Sequence, residues 1–218
     1  MPEPRICGVI VDNDPVAIKE AAGMVDLFEL RIDLAGKGWE KTATGLKKPW
    51  IATNRSSACG GKWRGSEDAR IIEPLRALDL GATIVDIELE TPNLAKLVPQ
   101  IRRKAKCMVS FHDWKRTPTL ARLSSVVRRQ IAAGADICKV VTTTVKFSDN
   151  LTVLELPGKF RDMHLVSFAM GEAGRVSRVL SPLAGGYFTY ASLKAGRGSA
   201  PGQVTVKELS DIYRMVGR

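Results

Sequence analysis

Eight short apolar runs, each followed by a segment with helical periodicity, divide the chain from residue 5 to residue 216. The apolar runs predict strands at 5–11, 27–33, 50–55, 83–89, 107–113, 134–144, 164–171 and 187–193. The segments between them predict a loop and helix at 12–24, and helices at 38–46, 66–80, 93–104, 117–134, 148–160, 176–183 and 205–216. This alternation predicts a parallel sheet, and eight repeats favour a (β/α)8 TIM barrel that forms a single domain over residues 1–218.

An open, doubly wound sheet is the competing architecture. The chain has 218 residues, of which 44% are hydrophobic and 26% are charged, as is typical of a soluble globular protein. This length is near the lower end for a barrel, so the connecting loops must be short. No G-x-G-x-x-G motif follows the first predicted strand, which weakens a dinucleotide-binding form of the doubly wound fold.

The sequence shows no signal for secretion, membrane insertion or zinc binding, and this predicts where the protein is located. The segment MPEPRICGVIVDND has neither a long apolar core nor a small-residue cleavage site, so no signal peptide is predicted. No apolar run approaches the roughly 20 residues that a membrane-spanning helix requires. The four cysteines show no C-x-x-C spacing, and three fall in predicted strands as small buried hydrophobes. We expect a cytoplasmic protein without a zinc site or a membrane partner.

The formal net charge of +10 raises the possibility of nucleic-acid binding. The basic residues are scattered, however, and lie within or beside amphipathic segments, for example at 47–48, 102–104 and 128–129. The chain has neither a basic tail nor an aromatic ladder. This pattern favours a solvated surface that attracts anionic metabolites over a nucleic-acid partner.

A lone lysine lies inside the sixth predicted strand, in the sequence GADICKVVTTT. With period-two alternation, Ile137, Lys139 and Val141 share one face, while Cys138 and Val140 share the other. An ammonium group that faces a packed interior is costly unless it is paired or loses its proton. A neutral lysine in an apolar pocket is a nucleophile that forms a Schiff base with a carbonyl. The competing interpretation is a strand-edge lysine whose charged end reaches water.

Polar side chains accumulate at the carboxyl ends of the predicted strands, where a barrel builds its active site. Barrel strands are covered on both faces, so a solvent-exposed strand face does not explain these side chains. Their convergence predicts a binding site for a polar, anionic small molecule. In strand order the residues are Glu29, Arg31, Asp33, Thr53, Arg55, Asp86, Glu88, Ser110, His112 and Lys139.

His112 is one of two histidines in the chain and ends the strand that precedes the one carrying Lys139. Histidine carries a proton near neutral pH, and a Schiff base makes the adjacent carbon acidic. The pair therefore predicts an imine-forming nucleophile with a general acid/base. His164 begins the seventh strand at the opposite rim, and we interpret it as structural. Neither H-x-x-x-H nor H-E-x-x-H spacing occurs, so no metal site is predicted.

Two glycine-containing segments follow the last two predicted strands. In MGEAGRVSR (170–178), the glycines let the backbone approach a ligand, and Ser177 with Arg178 would bind an anion near a helix N-terminus. The planar guanidinium suits a carboxylate because it makes two parallel hydrogen bonds. The segment KAGRGSAPGQ (194–203) has the composition of a lid that closes over a bound ligand.

Five motifs, in their order along the chain, resemble the type I 3-dehydroquinate dehydratase family. They are ELRID, SFHDW followed by TP, GADICKVV, MGEAGRVSR and SAPGQ. Each motif alone is modest evidence, but the ordered set is highly specific and extends over the whole chain. The resemblance implies a TIM barrel that converts 3-dehydroquinate to 3-dehydroshikimate and water, the third step of the shikimate pathway. It implies no cofactor and no metal, and we expect a homodimer.

The resemblance also implies catalytic roles. Lys139 would form an imine with the C3 ketone of the substrate. His112 would remove a C2 proton and then return a proton to the departing C1 hydroxyl. Asp86 would be a supporting carboxylate that orients His112.

Further residues would hold the substrate. Arg178 would bind its carboxylate, Ser199 and Gln203 would arrive from the closing lid, and Met170 would pack against the ring. The ring hydroxyls would be bound by Glu29, Arg31 and Arg55.

One position departs from the family pattern. Cys59, in RSSACGG, stands where the family commonly has a glutamate, so we leave it out of the predicted site.

Two other functions compete with the dehydratase. One is a class I aldolase, another lysine-dependent barrel, whose seventh loop would serve a phosphate or a carboxylate. The other is a basic nucleic-acid-binding protein, which only the net charge favours.

Overall fold

The computed structural model describes residues 3–217; Met1, Pro2 and Arg218, which the predicted domain includes, lie outside the described residues. The strands are β1 (Ile6–Ile10), β2 (Leu27–Arg31), β3 (Trp50–Thr53), β4 (Ile84–Glu88), β5 (Lys106–His112), β6 (Ile137–Thr143), β7 (His164–Met170) and β8 (Thr189–Ser192). The helices are α1 (Pro15–Ala21), α2 (Ile32–Ala35), α3 (Trp39–Gly45), α4 (Glu67–Asp79), α5 (Leu94–Arg102), α6 (Leu120–Ala132), α7 (Asp149–Lys159), α8 (Arg175–Leu180) and α9 (Val206–Met215).

The strands form one parallel sheet in the order β7-β6-β5-β4-β3-β2-β1-β8. Within residues 3–217, β7 and β8 share no ladder of hydrogen bonds. The amide of Tyr187, just before β8, donates to the carbonyl of Leu165 in β7 at 2.9 Å and bridges this seam. The sheet is therefore a nearly closed barrel, which confirms the predicted (β/α)8 fold and excludes the open doubly wound sheet.

The pleat of the strands sorts their side chains into two cores. Ile137 and Val141 lie in the barrel interior with Tyr190. Cys138 and Val140 pack between the sheet and the surrounding helices. The faces predicted for the sixth strand are thus confirmed. Both faces of a parallel strand lose contact with water in this arrangement, which explains the nearly continuous apolar runs.

Helix caps explain where several helices begin. The Ser66 side chain accepts a hydrogen bond from the Ala69 amide and begins α4, as its position in the sequence predicts. Thr205 and Glu208 form a capping box at α9, in which the Glu208 carboxylate accepts from the Thr205 amide at 2.7 Å. This box fixes the chain where the predicted lid ends.

Two strands, β2 and β3, end two residues earlier than predicted, where the Asp33 carboxylate stabilises a turn. β2 stops at Arg31, and Asp33 lies in the single turn of α2 rather than on a strand face. Its carboxylate accepts from Arg31 Nε at 2.9 Å and from the amides of Arg55 at 3.2 Å and Lys62 at 3.0 Å. Short acidic side chains favour such local turns over extended backbone. β3 stops at Thr53, so Arg55 lies in the following loop.

The rim opposite the strand carboxyl ends contains His164, as predicted. Its ring stacks on Tyr187 with 4.0 Å between the ring centroids, and Arg5 lies 4.8 Å from the centroid of the same tyrosine.

Cys7, Cys107 and Cys138 are buried free thiols in strands, which confirms their prediction as small hydrophobes. Among residues 3–217, no helix is long and apolar enough to cross a bilayer.

Candidate active site

Lys139 extends from β6 into the barrel interior, where its ammonium group is paired. Nζ lies 2.9 Å from Oδ2 of Asp86 and 3.4 Å from Oε1 of Glu29. It also lies 4.2 Å from the centroid of the Tyr190 ring. The residue is only 5% exposed, which excludes the interpretation of a strand-edge lysine that reaches water.

Asp86 is the central carboxylate of the site. Its Oδ2 accepts from Arg55 Nη2 at 2.6 Å as well as from Lys139, and its Oδ1 accepts from Ser110 Oγ at 2.6 Å. Burial alone would raise the pKa of Asp86, but the charges of Arg55 and Lys139 and the Ser110 hydrogen bond hold the pKa well below its ordinary value. Within residues 3–217 no hydrogen bond joins Asp86 to His112, and the role of Asp86 as a supporting carboxylate that orients His112 stays a prediction.

A second buried arginine supports the first from outside the barrel. Arg70 of α4 donates from Nη1 to Oε2 of Glu88 at 2.7 Å and to the carbonyl of Asn54 at 2.7 Å. The other oxygen of Glu88 lies 3.3 Å from Nη1 of Arg55. Sequence reasoning missed Arg70, because an arginine within an amphipathic helix is normally exposed. The sequence indicated only one contact of Arg70: Glu67 lies three residues before it on the same helix, and the two side chains do form an ion pair.

His112 ends β5, one layer above Ser110, and its side chain is partly buried. The imidazole stacks nearly parallel to the Trp114 indole, with 5.9 Å between centroids and 13° between planes. The indole in turn packs on Gly60, where a Cβ would overlap the ring. Burial, together with the charges of Arg55 and Lys139, lowers the pKa of His112 well below its ordinary value. The imidazole is therefore neutral at pH 7 and able to accept a proton.

Arg178 is the buried cation that lacks an anion. It is 1% exposed, and within residues 3–217 no carboxylate pairs with its guanidinium. Its Nη2 donates to the carbonyl of Pro201 at 3.4 Å, its Nε has no partner, and the Phe168 ring centroid lies 4.4 Å away. Burial lowers the pKa of Arg178 to about 10, so the group stays charged at pH 7.

Residues 194–203, predicted as a lid, lie closed over the site. Two ion pairs hold the first half to the β1–α1 loop: Arg197 with Asp12 at 2.8 Å, and Lys194 with Asp14. The second half meets the β7–α8 turn, where the Gly171 amide donates to the Pro201 carbonyl at 3.3 Å.

The approach between the second half of the lid and the β7–α8 turn requires Gly202. Its φ is +72°, and a Cβ there would overlap the Gly171 carbonyl. On the inner side of the lid, the Ser199 amide donates to Oε1 of Gln203 at 2.8 Å.

One cavity brings nearly all of the predicted site residues together. Its lining includes Glu29, Arg31, Arg55, His112, Lys139, Met170, Arg178, Ser199 and Gln203. Asp86 is not in the lining and reaches the cavity through Lys139 and Arg55. The free space is about 40 Å³, which holds only a few water molecules. A compound with a six-membered ring is larger than this space, so the lining residues must move apart to admit it.

The same cavity includes residues that we did not place in the site. Cys59, left out of the predicted site, lines the wall beside Gly60 and Trp114. Phe168 and Tyr190 also line it. Phe168 could have been predicted, because it lies two residues before Met170 on β7 and side chains two residues apart on a strand share a face.

Comparisons with known proteins agree with this geometry. The family model for type I 3-dehydroquinase matches residues 9–218. A 3-dehydroquinate dehydratase of Dehalococcoides mccartyi is 42% identical over 213 residues, which cover 98% of this chain and 96% of the relative. One of Methanocaldococcus jannaschii is 34% identical over 215 residues, covering 95% and 96%. The crystal structure of 3-dehydroquinate dehydratase from Geobacillus kaustophilus matches with a TM-score of 0.84 and 27% identity, covering 100% of this chain and 93% of that one. The chain therefore belongs to the type I 3-dehydroquinase family and is an enzyme of the 3-dehydroquinate dehydratase class.

Proposed function

We propose that the protein dehydrates 3-dehydroquinate to 3-dehydroshikimate through an imine on Lys139, as the third step of the shikimate pathway. One observation carries the proposal: a single cavity contains a buried lysine and a buried arginine that has no acidic partner among residues 3–217. A substrate with both a ketone and a carboxylate matches these two groups. The lysine attacks the ketone, and the guanidinium binds the carboxylate with parallel hydrogen bonds.

Imine formation begins with a proton transfer from Lys139. The ammonium must release a proton before its nitrogen can attack C3, and the neutral imidazole of His112 is the acceptor in the same cavity. Attack gives a carbinolamine, and loss of water from it, with a proton supplied by His112, gives a protonated imine. The positive charge of the imine nitrogen stays beside Asp86 and Glu29, which already pair with Nζ and stabilise it without rearrangement.

Elimination then proceeds on the imine. His112 removes a proton from C2, and the electron pair of the C–H bond moves toward the imine nitrogen to give an enamine. The enamine returns this electron pair and breaks the C1–O bond, while His112 donates its proton so that hydroxide leaves as water. Hydrolysis of the product imine restores Lys139. No metal or cofactor is needed, because the protonated imine is the electron sink.

The remaining lining residues position the substrate in this proposal. Arg178 binds the carboxylate, Ser199 and Gln203 close over it from the lid, and Met170 packs against the ring. The support for Arg178 is that its guanidinium is buried, charged and unpaired by any acid among the described residues. The ring hydroxyls are bound by Glu29, Arg31 and Arg55.

Borohydride trapping tests the imine directly. We expect that 3-dehydroquinate and borohydride together attach the reduced ligand covalently to Lys139, as peptide mass spectrometry would show. Lys139→Ala is the matched control and should remain unmodified and inactive. His112→Ala should still trap some ligand, while turnover falls by about 10²–10⁴-fold. An adduct on another lysine, or none with the unsubstituted protein, would reject the mechanism.

A cytoplasmic homodimer of single-domain subunits, each spanning residues 1–218, is part of the proposal. An exposed apolar patch between β6 and the first turn of α7 supports the dimer. Val145, Phe147 and Leu151 are 74%, 64% and 67% exposed, and patches of this kind often mark interfaces. Light scattering should give twice the chain mass, and Phe147→Glu should give one chain mass. A monomeric unsubstituted protein would contradict the dimer.

A further inference from the structure

A groove on the outside of the barrel, between α1 and α3, has a volume of about 560 Å³. Its apolar lining comes from Ile18, Ala22, Phe28 and Leu46. Gly45, the last residue of α3, also lines the groove, and a Cβ there would meet no atom within 4 Å, so the position has room for a larger side chain. Pockets of roughly 300–1,000 Å³ with mainly apolar walls are typical small-molecule sites.

Cationic side chains surround the apolar lining. Lys19, Lys41 and Lys47 are exposed lysines of the groove wall. None of them has an acidic partner within residues 3–217, whereas Lys194 and Arg197 of the lid are both paired. An apolar lining with unpaired cations at its edge is complementary to a ligand that has an apolar body and an anionic group.

The groove also shares a residue with the segment that holds the lid. Asn13 lines the groove, and its Oδ1 accepts from Thr42 Oγ1 of α3 at 2.7 Å. Its chain neighbours Asp12 and Asp14 make the two ion pairs to the lid. A ligand in the groove would therefore contact Asn13, which lies between the two residues that pair with the lid.

We propose that this groove is a second ligand site, specific for an aromatic carboxylate, and that its occupancy stabilises the closed lid through residues 12–14. The aromatic body would occupy the apolar lining and the carboxylate would bind the lysines. A ligand that prefers the observed conformation of Asn13 shifts the population toward that conformation. The binding does not depend on the imine mechanism, but the coupling rests on the lid function proposed above.

Naphthoate, a fluorescent aromatic carboxylate, is a suitable probe for the full chain. Its fluorescence should show saturable binding to one site per chain that excess 3-dehydroshikimate does not displace. Gly45→Phe should abolish this binding by filling the groove. Gly158→Phe is the matched control, because a Cβ at Gly158 of α7 also meets no atom within 4 Å. Binding that survives Gly45→Phe, or that 3-dehydroshikimate displaces, would overturn the proposal.

Charge reversal tests the anionic half of the ligand. The double variant Lys41→Glu/Lys47→Glu should weaken naphthoate binding by about tenfold, from exposed charge interactions of ordinary size. The double variant Lys96→Glu/Lys106→Glu, at exposed lysines of α5 and β5, changes the net charge by the same amount; it is the control and should leave the affinity unchanged. Equal effects of the two changes would mean that net charge alone attracts the probe. An acidic amphipathic peptide that binds the groove more tightly than naphthoate would assign it to a protein partner and overturn the proposal.

Hydrogen exchange tests the coupling to the lid. Naphthoate should slow amide exchange in residues 194–203 of the unsubstituted protein but not of Gly45→Phe. Saturating naphthoate with unchanged lid exchange would reject the coupling. Borohydride trapping at Lys139 needs no naphthoate, so failure of the groove proposal and failure of the imine mechanism give separate results.

Discussion

Two of the buried arginines that line the cavity, Arg55 and Arg178, have opposite electrostatic surroundings. Arg55 pairs with Asp86 at 2.6 Å and with Glu88 at 3.3 Å, and it donates to Ser110 at 2.8 Å. Burial alone would lower the pKa of Arg55, but the carboxylates of Asp86 and Glu88 raise it. Arg178 has no such carboxylate among residues 3–217, and burial lowers its pKa to about 10.

This difference indicates that Arg55 stabilises the folded site, whereas Arg178 is available to bind an anionic ligand. A guanidinium with all of its partners inside the protein contributes to the folded arrangement. A guanidinium that is desolvated without an anion destabilises the free protein, and a bound carboxylate offsets that cost. The contrast therefore predicts opposite responses of stability and catalysis to substitution.

The largest expected effect on stability follows from Arg55→Met. The substitution leaves buried carboxylates with fewer cations, and breaking a buried pair costs about 3–5 kcal/mol. Urea denaturation should show this loss in the free energy of unfolding. Arg178→Met, measured in parallel, should be at least as stable as the unsubstituted protein. A similar loss in both variants would remove the distinction between the two arginines.

Of the two arginine variants, Arg178→Met should have the larger effect on kcat/KM. Loss of a buried charge pair with the substrate costs about 2–5 kcal/mol, or roughly 30- to 4,000-fold in kcat/KM. The loss should appear mainly in KM if the carboxylate is bound equally in the ground state and the transition state. Arg175→Met is the matched control, because Arg175 begins the same helix and is exposed. An unchanged kcat/KM for Arg178→Met would show that the carboxylate binds elsewhere.

A smaller effect concerns the pH dependence of kcat/KM. The pKa of His112 is lowered by burial and then by the charge of Arg55, so the neutral imidazole persists as the pH falls below 6.5. Activity that requires neutral His112 is lost only when the pH falls through this lowered value. Arg55→Gln should move the acid limb up toward pH 6.5, because a cation is lost while Asp86 stays. Arg178→Gln should move the limb less, and equal shifts would contradict the specific effect of Arg55.

The faces of the strands could be predicted because alternation is a local property. Ile137, Lys139 and Val141 share the barrel interior because successive side chains in a strand point to opposite faces. The rim position of His112 follows from the same rule and from the parallel direction of all strands. Local pattern therefore predicted which side chains converge on the cavity.

The partners of those side chains could not be predicted in this way. Lys139 pairs with Glu29 across 110 positions and with Asp86 across 53 positions, and only the tilt and register of the closed sheet bring them together. The contacts of Asp86 with Arg55 and Lys139 were therefore not predicted. Arg70 was missed for the same reason, since its partner Glu88 belongs to another element.

The order of strands in the sheet has a consequence for synthesis of the chain. β1 pairs with β2 on one side and with β8 on the other, in a register that joins Ile6 to Thr189. One edge of β1 therefore stays unpaired until the ribosome has released almost the whole chain. An uncovered strand edge pairs readily with other chains, so nascent protein is most prone to aggregate just before β8 emerges. Slow translation upstream of Thr189 would prolong this period, and a chaperone that covers the β1 edge would be most useful there.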